Sequence, residues 1–381
     1  GPGRGLRRRH PSGVHGGGYR YQSFLFDTAS LSSFSDRIYS TFEGSPKLTV
    51  VGETWEMPWK VVTGIDLYDS SAKVVRFLDE NREDKDSSAR LDLTTAGGYI
   101  RPTVNLTKEV KIEGGLRYDR AVISGEKEKT DVDGSDTHQA VVYDGAILYR
   151  PVDEVKLYTK AGTLFRYPFT DEQAVITGSD DGFNADLEPE TGITAELGGT
   201  LAIEDLVTLS ANGYVLEMDD EIAWYDPDGW GVGTPGKNIN LEKTRRWGAD
   251  VELDTRLHRS VGFSASYGFI DARFVKGENE DNHIPQVPVH SFDAELRLKP
   301  ISVLRIATGA GYRSEVYVDD ANSADPLDAY WLFDLEVAYT PETTAGDMQV
   351  KLKAENIFDT LYATTGFYDD WGGTSYFYPA P

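Results

Sequence analysis

A period of two constrains this chain more than any other feature. From about Lys47 onward apolar and polar residues alternate in segment after segment, with almost no stretch of helical period. Val110, Ile112, Leu116 and Tyr118 share one face of a predicted strand, and Lys111, Glu113 and Arg117 the other. Trp247, Ala249, Val251 and Leu253 oppose Asp250, Glu252 and Asp254. Val261, Phe263, Ala265, Tyr267 and Phe269 oppose Gly262, Ser264, Ser266 and Gly268. Phe292, Ala294, Leu296 and Leu298 oppose Asp293, Glu295, Arg297 and Lys299, while Val350, Leu352 and Ala354 oppose Lys351, Lys353 and Glu355. Successive side chains of a strand point to opposite faces, so each segment has one apolar wall and one polar wall.

A soluble β-sandwich alternates in the same way, with its polar face in water. The connections separate the two folds. Short turns at 106–109, 151–154, 257–260 and 299–302 alternate with long polar segments near 70–90, 123–137, 168–190, 218–243, 274–290, 314–329 and 358–375. Short turns at one end and long loops at the other are the pattern of a transmembrane β-barrel, with periplasmic turns and extracellular loops. The expected fold is therefore all-β, an antiparallel transmembrane barrel. Two strands per long loop give about 14 from Trp59 onward, and the preceding residues add two or three.

Composition agrees. No run of about 18 apolar residues occurs, which excludes a transmembrane helix but not a membrane, because a spanning strand needs only about 9 to 11 tilted residues with every second one polar. The 63 acidic against 38 basic residues give a net charge of −25, which repels nucleic acid and anionic lipid alike and makes nucleic acid an improbable partner. Without cysteine there is neither a disulfide framework nor a thiolate metal site. Aromatic residues are 12% of the chain and crowd the strand ends, at Phe165 and Tyr167, Trp224 and Tyr225, Tyr330 and Trp331, and Tyr376 to Tyr378, as in an interfacial girdle. The first 18 residues are basic and glycine-rich without an apolar region, so they read as a disordered end and not as a signal peptide.

Several short motifs add a resemblance. Leu116-Arg117-Tyr118-Asp119, Leu148-Tyr149-Arg150-Pro151, Phe165-Arg166-Tyr167-Pro168, Leu187-Glu188-Pro189-Glu190-Thr191 and Glu196-Leu197-Gly198 resemble, in order and spacing, the barrel of TonB-dependent outer-membrane receptors, the siderophore and vitamin receptor family. Arg246-Trp247-Gly248-Ala249-Asp250-Val251-Glu252, Val287-Pro288-Val289-His290, Ala354-Glu355-Asn356-Ile357-Phe358-Asp359 and Tyr378-Pro379-Ala380-Pro381 continue it, so that the resemblance covers about residues 47 to 381.

The resemblance implies energy-dependent import of a scarce nutrient across the outer membrane of a Gram-negative cell. The usual ligand is a ferric siderophore or similar metal chelate, and the inner-membrane protein TonB is the energy-coupling partner. Family barrels have about 22 strands, an N-terminal plug and a last strand after the Tyr-Pro-Ala-Pro stretch. On that comparison residues 19–381 read as a partial barrel of 14 to 17 strands, lacking plug, coupling segment and last strand. A passive, substrate-selective, porin-like channel is the alternative, and an adhesion or structural barrel a third reading.

The candidate ligand-binding residues are the loop aromatics Trp224, Tyr225, Trp230, Tyr317, Tyr368 and Trp371, with Phe367, whose rings could stack on a chelate or anchor the interface. Polar-wall cations Arg117, Lys156, Lys160, Lys351 and Lys353 could meet a plug or a passing anion, or simply keep the interior wet. Asp131, Asp133 and Asp136 around Gly134 loosely resemble a calcium loop, but the order departs from the EF-hand pattern and no later Glu is placed, so no metal site is assigned; Asp319, Asp320 and Asp325 read the same way. No nucleophile elbow, phosphate loop or metal-binding helix motif is present, so the chain is not read as an enzyme and no cofactor is expected.

Overall fold

The computed structural model describes residues 12–14, 17–28, 33–128, 132–175, 182–225, 236–341, 346, 348–369 and 373–377. In chain order its strands are β1 (Ser12–Val14), β2 (Gly17–Thr28), β3 (Ser33–Gly44), β4 (Lys47–Thr54), β5 (Met57–Phe77), β6 (Lys85–Asn105), β7 (Val110–Lys127), β8 (Val132–Val152) and β9 (Val155–Arg166). A helical turn α1 (Thr170–Gln173) and the short pair β10 (Ala174–Val175) and β11 (Gly182–Phe183) follow. Then come β12 (Glu190–Ile203), β13 (Val207–Tyr225), β14 (Lys237–His258), β15 (Val261–Lys276), β16 (His290–Ile301), β17 (Leu304–Arg313), β18 (Tyr330–Tyr339), β19 (Val350–Ala354), β20 (Thr365–Asp369) and β21 (Gly373–Phe377). With β1 and the pairs β10–β11 and β20–β21 set aside, sixteen strands remain among the described residues, within the 14 to 17 read from the sequence. Strand structure also begins before the boundary drawn at residue 19: β1 pairs Ser12 with Thr49, and β2 starts at Gly17.

The chain divides into two compact units. The first comprises Gly1–Ile147, Gly162–Ile193 and Asp219–Leu241, the second Leu148–Ala161, Thr194–Met218 and Glu242–Pro381. In the first, β2, β3, β5, β6 and β7 are antiparallel neighbours in that order. The 21 residues of β5 pair with β4 along Met57–Gly64 and with β3 along Leu67–Phe77. The break falls at Pro46, which has no N–H for a ladder but accepts one at its carbonyl from Ile65 at 3.2 Å. In the second unit β14 to β19 form an antiparallel meander in sequence order.

The two walls are where the alternation puts them. Ile65, Leu67, Ile100, Leu116, Tyr118, Val141 and Tyr143 stand exposed on one wall of the first unit, and Trp247, Val251, Tyr267, Trp331, Leu335 and Leu352 on one wall of the second. In water such surfaces would be a large hydrophobic liability; in hydrocarbon they are at home, while the ladders satisfy the backbone. The opposite wall is ion-paired. Arg117 forks onto Asp119 and reaches Asp66 across the intervening strand. Gly97 lies under that guanidinium, and a Cβ there would sit 2.5 Å from Arg117 Nη2.

The short turns are as expected: 106–109 between β6 and β7, 153–154 between β8 and β9, 259–260 between β14 and β15, and 302–303 between β16 and β17. At the first, the Thr107 hydroxyl accepts the N–H groups of Glu109 and Val110 at 3.1 and 3.0 Å. Three of the seven long loops are much shorter than the sequence suggests. The segment expected at 70–90 is a connection of 78–84 only, 123–137 shrinks to 128–131, and 218–243 to 226–236. The strands continue past the membrane into water, where the outward face turns polar, as at Ser88, Arg90 and Asp92, while Ala89 and Leu91 face the other way, so the greasy wall of the spanning part is lost. The long connections expected at 168–190, 274–290 and 314–329 keep their length, as 167–189 with α1, β10 and β11 inside it, 277–289 and 314–329.

Candidate ligand-binding face at the loop ends

In the first unit the segment from Arg166 to Glu190 folds back over the polar wall of β6 and β7. That wall changes character along the strands. In mid-strand it carries Tyr99, Arg117 and Asp119; nearer the loops the same faces present Ala89, Leu91, Ala121 and Ile123, all buried, the last with 0% exposure. Phe183 packs on Ala89 and Leu91, and Leu187 is 1% exposed. Phe183 needs Gly134 beneath it, since a Cβ there would meet its ring at 2.2 Å.

Polar side chains fasten the segment. Arg166 donates Nε to Glu190 Oε2 and Nη1 to Glu172 Oε2, both at 2.8 Å, and a further N–H to Glu190 Oε1. Glu190 Oε1 also accepts the Ile222 N–H at 2.9 Å. Asn184 Nδ2 donates to the Asn238 carbonyl, Asn238 Nδ2 to the Glu172 carbonyl, and Asn240 Nδ2 to the carbonyls of Glu188 and Asp220, at 2.7–3.0 Å. Gln173, wholly buried, donates to Asp136 Oδ2 at 3.0 Å and sets its carbonyl oxygen 3.3 Å from His138 Nε2. Tyr167 lies against His138, ring centroids 6.0 Å apart, with its hydroxyl buried and unbonded; burial pushes its pKa up to about 12.

In the second unit the two irregular loops lock together. Asn322 Oδ1 accepts the His283 N–H at 2.7 Å, and its Nδ2 donates to the carbonyls of His283 and Asp319 at 2.9 and 3.0 Å. Asn282 Nδ2 donates to the Asp320 carbonyl, and the Gln286 N–H to that of Tyr317, both at 3.0 Å. Val318 and Leu327 are buried beneath, and Gln286 Nε2 reaches the Gly366 carbonyl at the start of β20. Burial holds the His283 imidazole below its ordinary pKa, with Arg273 adding to the effect and Asp271 opposing it.

The expected site residues fare unevenly. Trp224 and Tyr225 end β13 about half-exposed, and as neighbours in a strand they face opposite sides. Tyr317 stacks on His283 at 5.4 Å, so its ring works inside the loop pair. Tyr368 is exposed on β20. Trp230, Trp371 and Asp131 lie outside the described residues, and so does the side chain of Phe367. The Asp136 carboxylate accepts from Gln173, Asp133 is exposed, and among the described residues no three His, Asp or Glu side chains are placed to hold a metal ion. The Asp319 carboxylate accepts the Ser323 and Ala324 N–H groups at 3.0 and 3.1 Å. Of the polar-wall cations, Arg117, Lys160, Lys351 and Lys353 are paired with Asp66 and Asp119, Glu196, Glu336 and Glu355 respectively, whereas Lys156 is exposed. Sequence reasoning missed the fastening set of Arg166, Glu172, Gln173, Glu190, Asn238 and Asn240. Its trace in the sequence is Arg166 and Glu190, which stand in two of the family-like motifs without their pairing being legible there.

A family model described as "TonB dependent receptor-like, beta-barrel" matches residues 5–357. The iron-regulated outer membrane virulence protein of Vibrio cholerae serotype O1 is 27% identical over 201 residues, which is 49% of this chain and 30% of that protein. The crystal structure of the ferric citrate transporter FecA in its unliganded form superposes with a TM-score of 0.79 at 18% identity, covering 97% of this chain and 57% of that one. The ferric yersiniabactin uptake receptor FyuA of Yersinia pestis superposes at 0.70 and 17% identity, covering 96% and 56%. The chain thus spans about a third of that curated relative and somewhat over half of those solved chains.

Proposed function

The chain belongs to the TonB-dependent receptor β-barrel family, outer-membrane transport receptors and not enzymes, and we propose that it walls a receptor importing a ferric siderophore or similar metal chelate. The family match over 5–357 carries this reading. The ligand class is supported by relatives whose names point to iron, among them a ferric citrate transporter and a ferric yersiniabactin receptor. The loop ends suit capture. Each is held by side-chain to backbone hydrogen bonds, and each has exposed rings of the kind that stack on flat chelates, Trp224 or Tyr225 on either face of β13 in the first unit and Tyr368 in the second. The polar wall, with most of its cations neutralised by acids, offers a wet lining without a strong trap for a passing anion. In the whole protein a plug gates the passage and a coupling segment takes energy from TonB.

The test is uptake of radiolabelled ferric siderophores by cells with and without the gene encoding this chain, before and after collapse of the proton gradient. Uptake that needs both gene and gradient is expected. Gene-dependent uptake indifferent to the gradient would replace the receptor with a passive channel.

A further inference from the structure

In the second unit the neutralised polar wall stops short of the turns. A hollow of about 620 Å³ opens on that wall at the turn ends of β14 to β19, within the size range of a small-ligand site. Its floor is made of small residues. Gly262 stands opposite Arg297 and Arg297 opposite Ala307, while Ala338 lies between Arg305 and Lys351. Long cationic side chains thus alternate with Gly262, Ala307 and Ala338 across the strands. A Cβ on Gly262 would come within 3.4 Å of Arg297 Nε.

Six cations line the hollow against three acids, and the acids are already engaged. Asp254 holds Arg297 at 2.6 Å, Glu295 lies 3.5 Å from the same guanidinium, and Glu336 holds Lys351 at 3.0 Å. Arg256, Arg259, Lys299 and Arg305 have no ion pair among the described residues. Glu204 and Asp205 on the adjoining turn do not supply one, although the Leu206 carbonyl there accepts the Arg256 N–H at 2.8 Å. His258 adds a neutral donor, because its Nδ1 accepts the Ser260 N–H at 3.2 Å and the ring proton is left on Nε2.

Like charges gathered without partners repel, and this chain, with 63 acidic residues and a net charge of −25, is rich in the acids that would quiet them. Arg117, Lys160 and Lys353, farther from the turns, each have a carboxylate. The four at the hollow are left to a counter-ion from solution. Arg256 and Arg305 offer planar forks that match the two oxygens of a carboxylate, and Lys299 a point charge.

We propose that this hollow binds a small oxyanion of two or more negative charges, such as a polycarboxylate. All four free cations are exposed, so the anion is held loosely enough to exchange. Short turns lie on the periplasmic side, so the site faces the compartment that an imported solute enters. Binding there does not depend on energised import, and a passive channel would leave the proposal standing.

The 381-residue chain, purified in detergent, is titrated calorimetrically with citrate and with acetate at one ionic strength. Citrate is expected to bind at least about tenfold more tightly. R256Q/R305Q should abolish that preference with an unchanged circular dichroism spectrum, while K160Q, whose lysine is paired with Glu196, keeps it. Equal affinity of the unaltered chain for the two anions overturns the proposal, and needs no variant to fold. So does a preference that survives R256Q/R305Q, and so does displacement of citrate by an equal concentration of hexaglutamate, which would make this a dock for an acidic polypeptide.

Discussion

The loop ends of the two units solve one problem in different ways. In the first, β5, β6 and β8 run for 21 residues and β7 for 18, about twice the 9 to 11 that a tilted spanning strand requires. Ladder pairing continues beyond the membrane, and an apolar layer of Ala89, Leu91, Ile123, Phe183 and Leu187 is packed on one wall. In the second, β16, β17 and β18 stop after 12, 10 and 10 residues, and the chain beyond them is irregular. There the order comes from amide side chains capping backbone groups, with Asn322 at the centre. Hydrogen bonds serve both ends, but the first adds an apolar layer on its wall while the second leans on the one amide of Asn322, so the two should fail under different insults.

The largest effect is expected from Leu187→Ala. Truncating a fully buried leucine costs about 2–5 kcal/mol, and hydrogen exchange should show residues 166–190 opening while 277–289 and 314–329 keep their protection. If both ends loosen together, the contrast drawn here is wrong. Asn322→Ala should do the reverse at smaller cost. Three hydrogen bonds from one side chain are lost and the His283 N–H and carbonyl lose their Asn322 partner, while the Asp319 carbonyl keeps the N–H of residue 322, about 1–3 kcal/mol in total, visible as proteolytic nicking in 277–289 or 314–329 and not in 166–190.

Acidification gives the mildest separation. His283 takes a proton less readily when the loops are locked than when they are open, so its contribution is complete above the ordinary pKa of about 6.5 and is lost as pH falls through the lowered folded value. The 78–84 turn of the first unit depends on Asp79, whose carboxylate accepts the N–H groups of Asp84 and Glu83 and is thereby held below its ordinary pKa. Its contribution persists above about pH 3.9 and is lost only below that. Stepping from pH 7.5 to 5 should therefore raise amide exchange in 277–289 and leave 78–84 unchanged.

These differences mark how far the sequence could be read. The walls of β7, β14, β15, β16 and β19 were legible because lipid on one side and charge on the other enforce alternation residue by residue. The turn at 106–109 was legible as a short break between two alternating runs; its Thr107 cap was not. The loop-side extensions of β5 and β6 were not, since Lys73, Arg76, Asp86 and Arg90 stand in water and read as loop. The fastening of 166–190 was invisible for another reason: Asn238 meets Glu172 across 66 residues, and Asn240 meets Glu188 across 52. The loop aromatics were found by type, but Tyr317 turned out to serve its own loop through His283.

The Asn322 lock also bears on how this rim can diversify. Because one amide satisfies backbone groups in both 277–289 and 314–329, the two segments share a single opening equilibrium and have no separate ones. Lengthening either alone pulls His283 and Asn322 out of register and releases both. New ligand contacts grafted onto one of these loops must therefore arrive as point substitutions, or with a matching change in its partner.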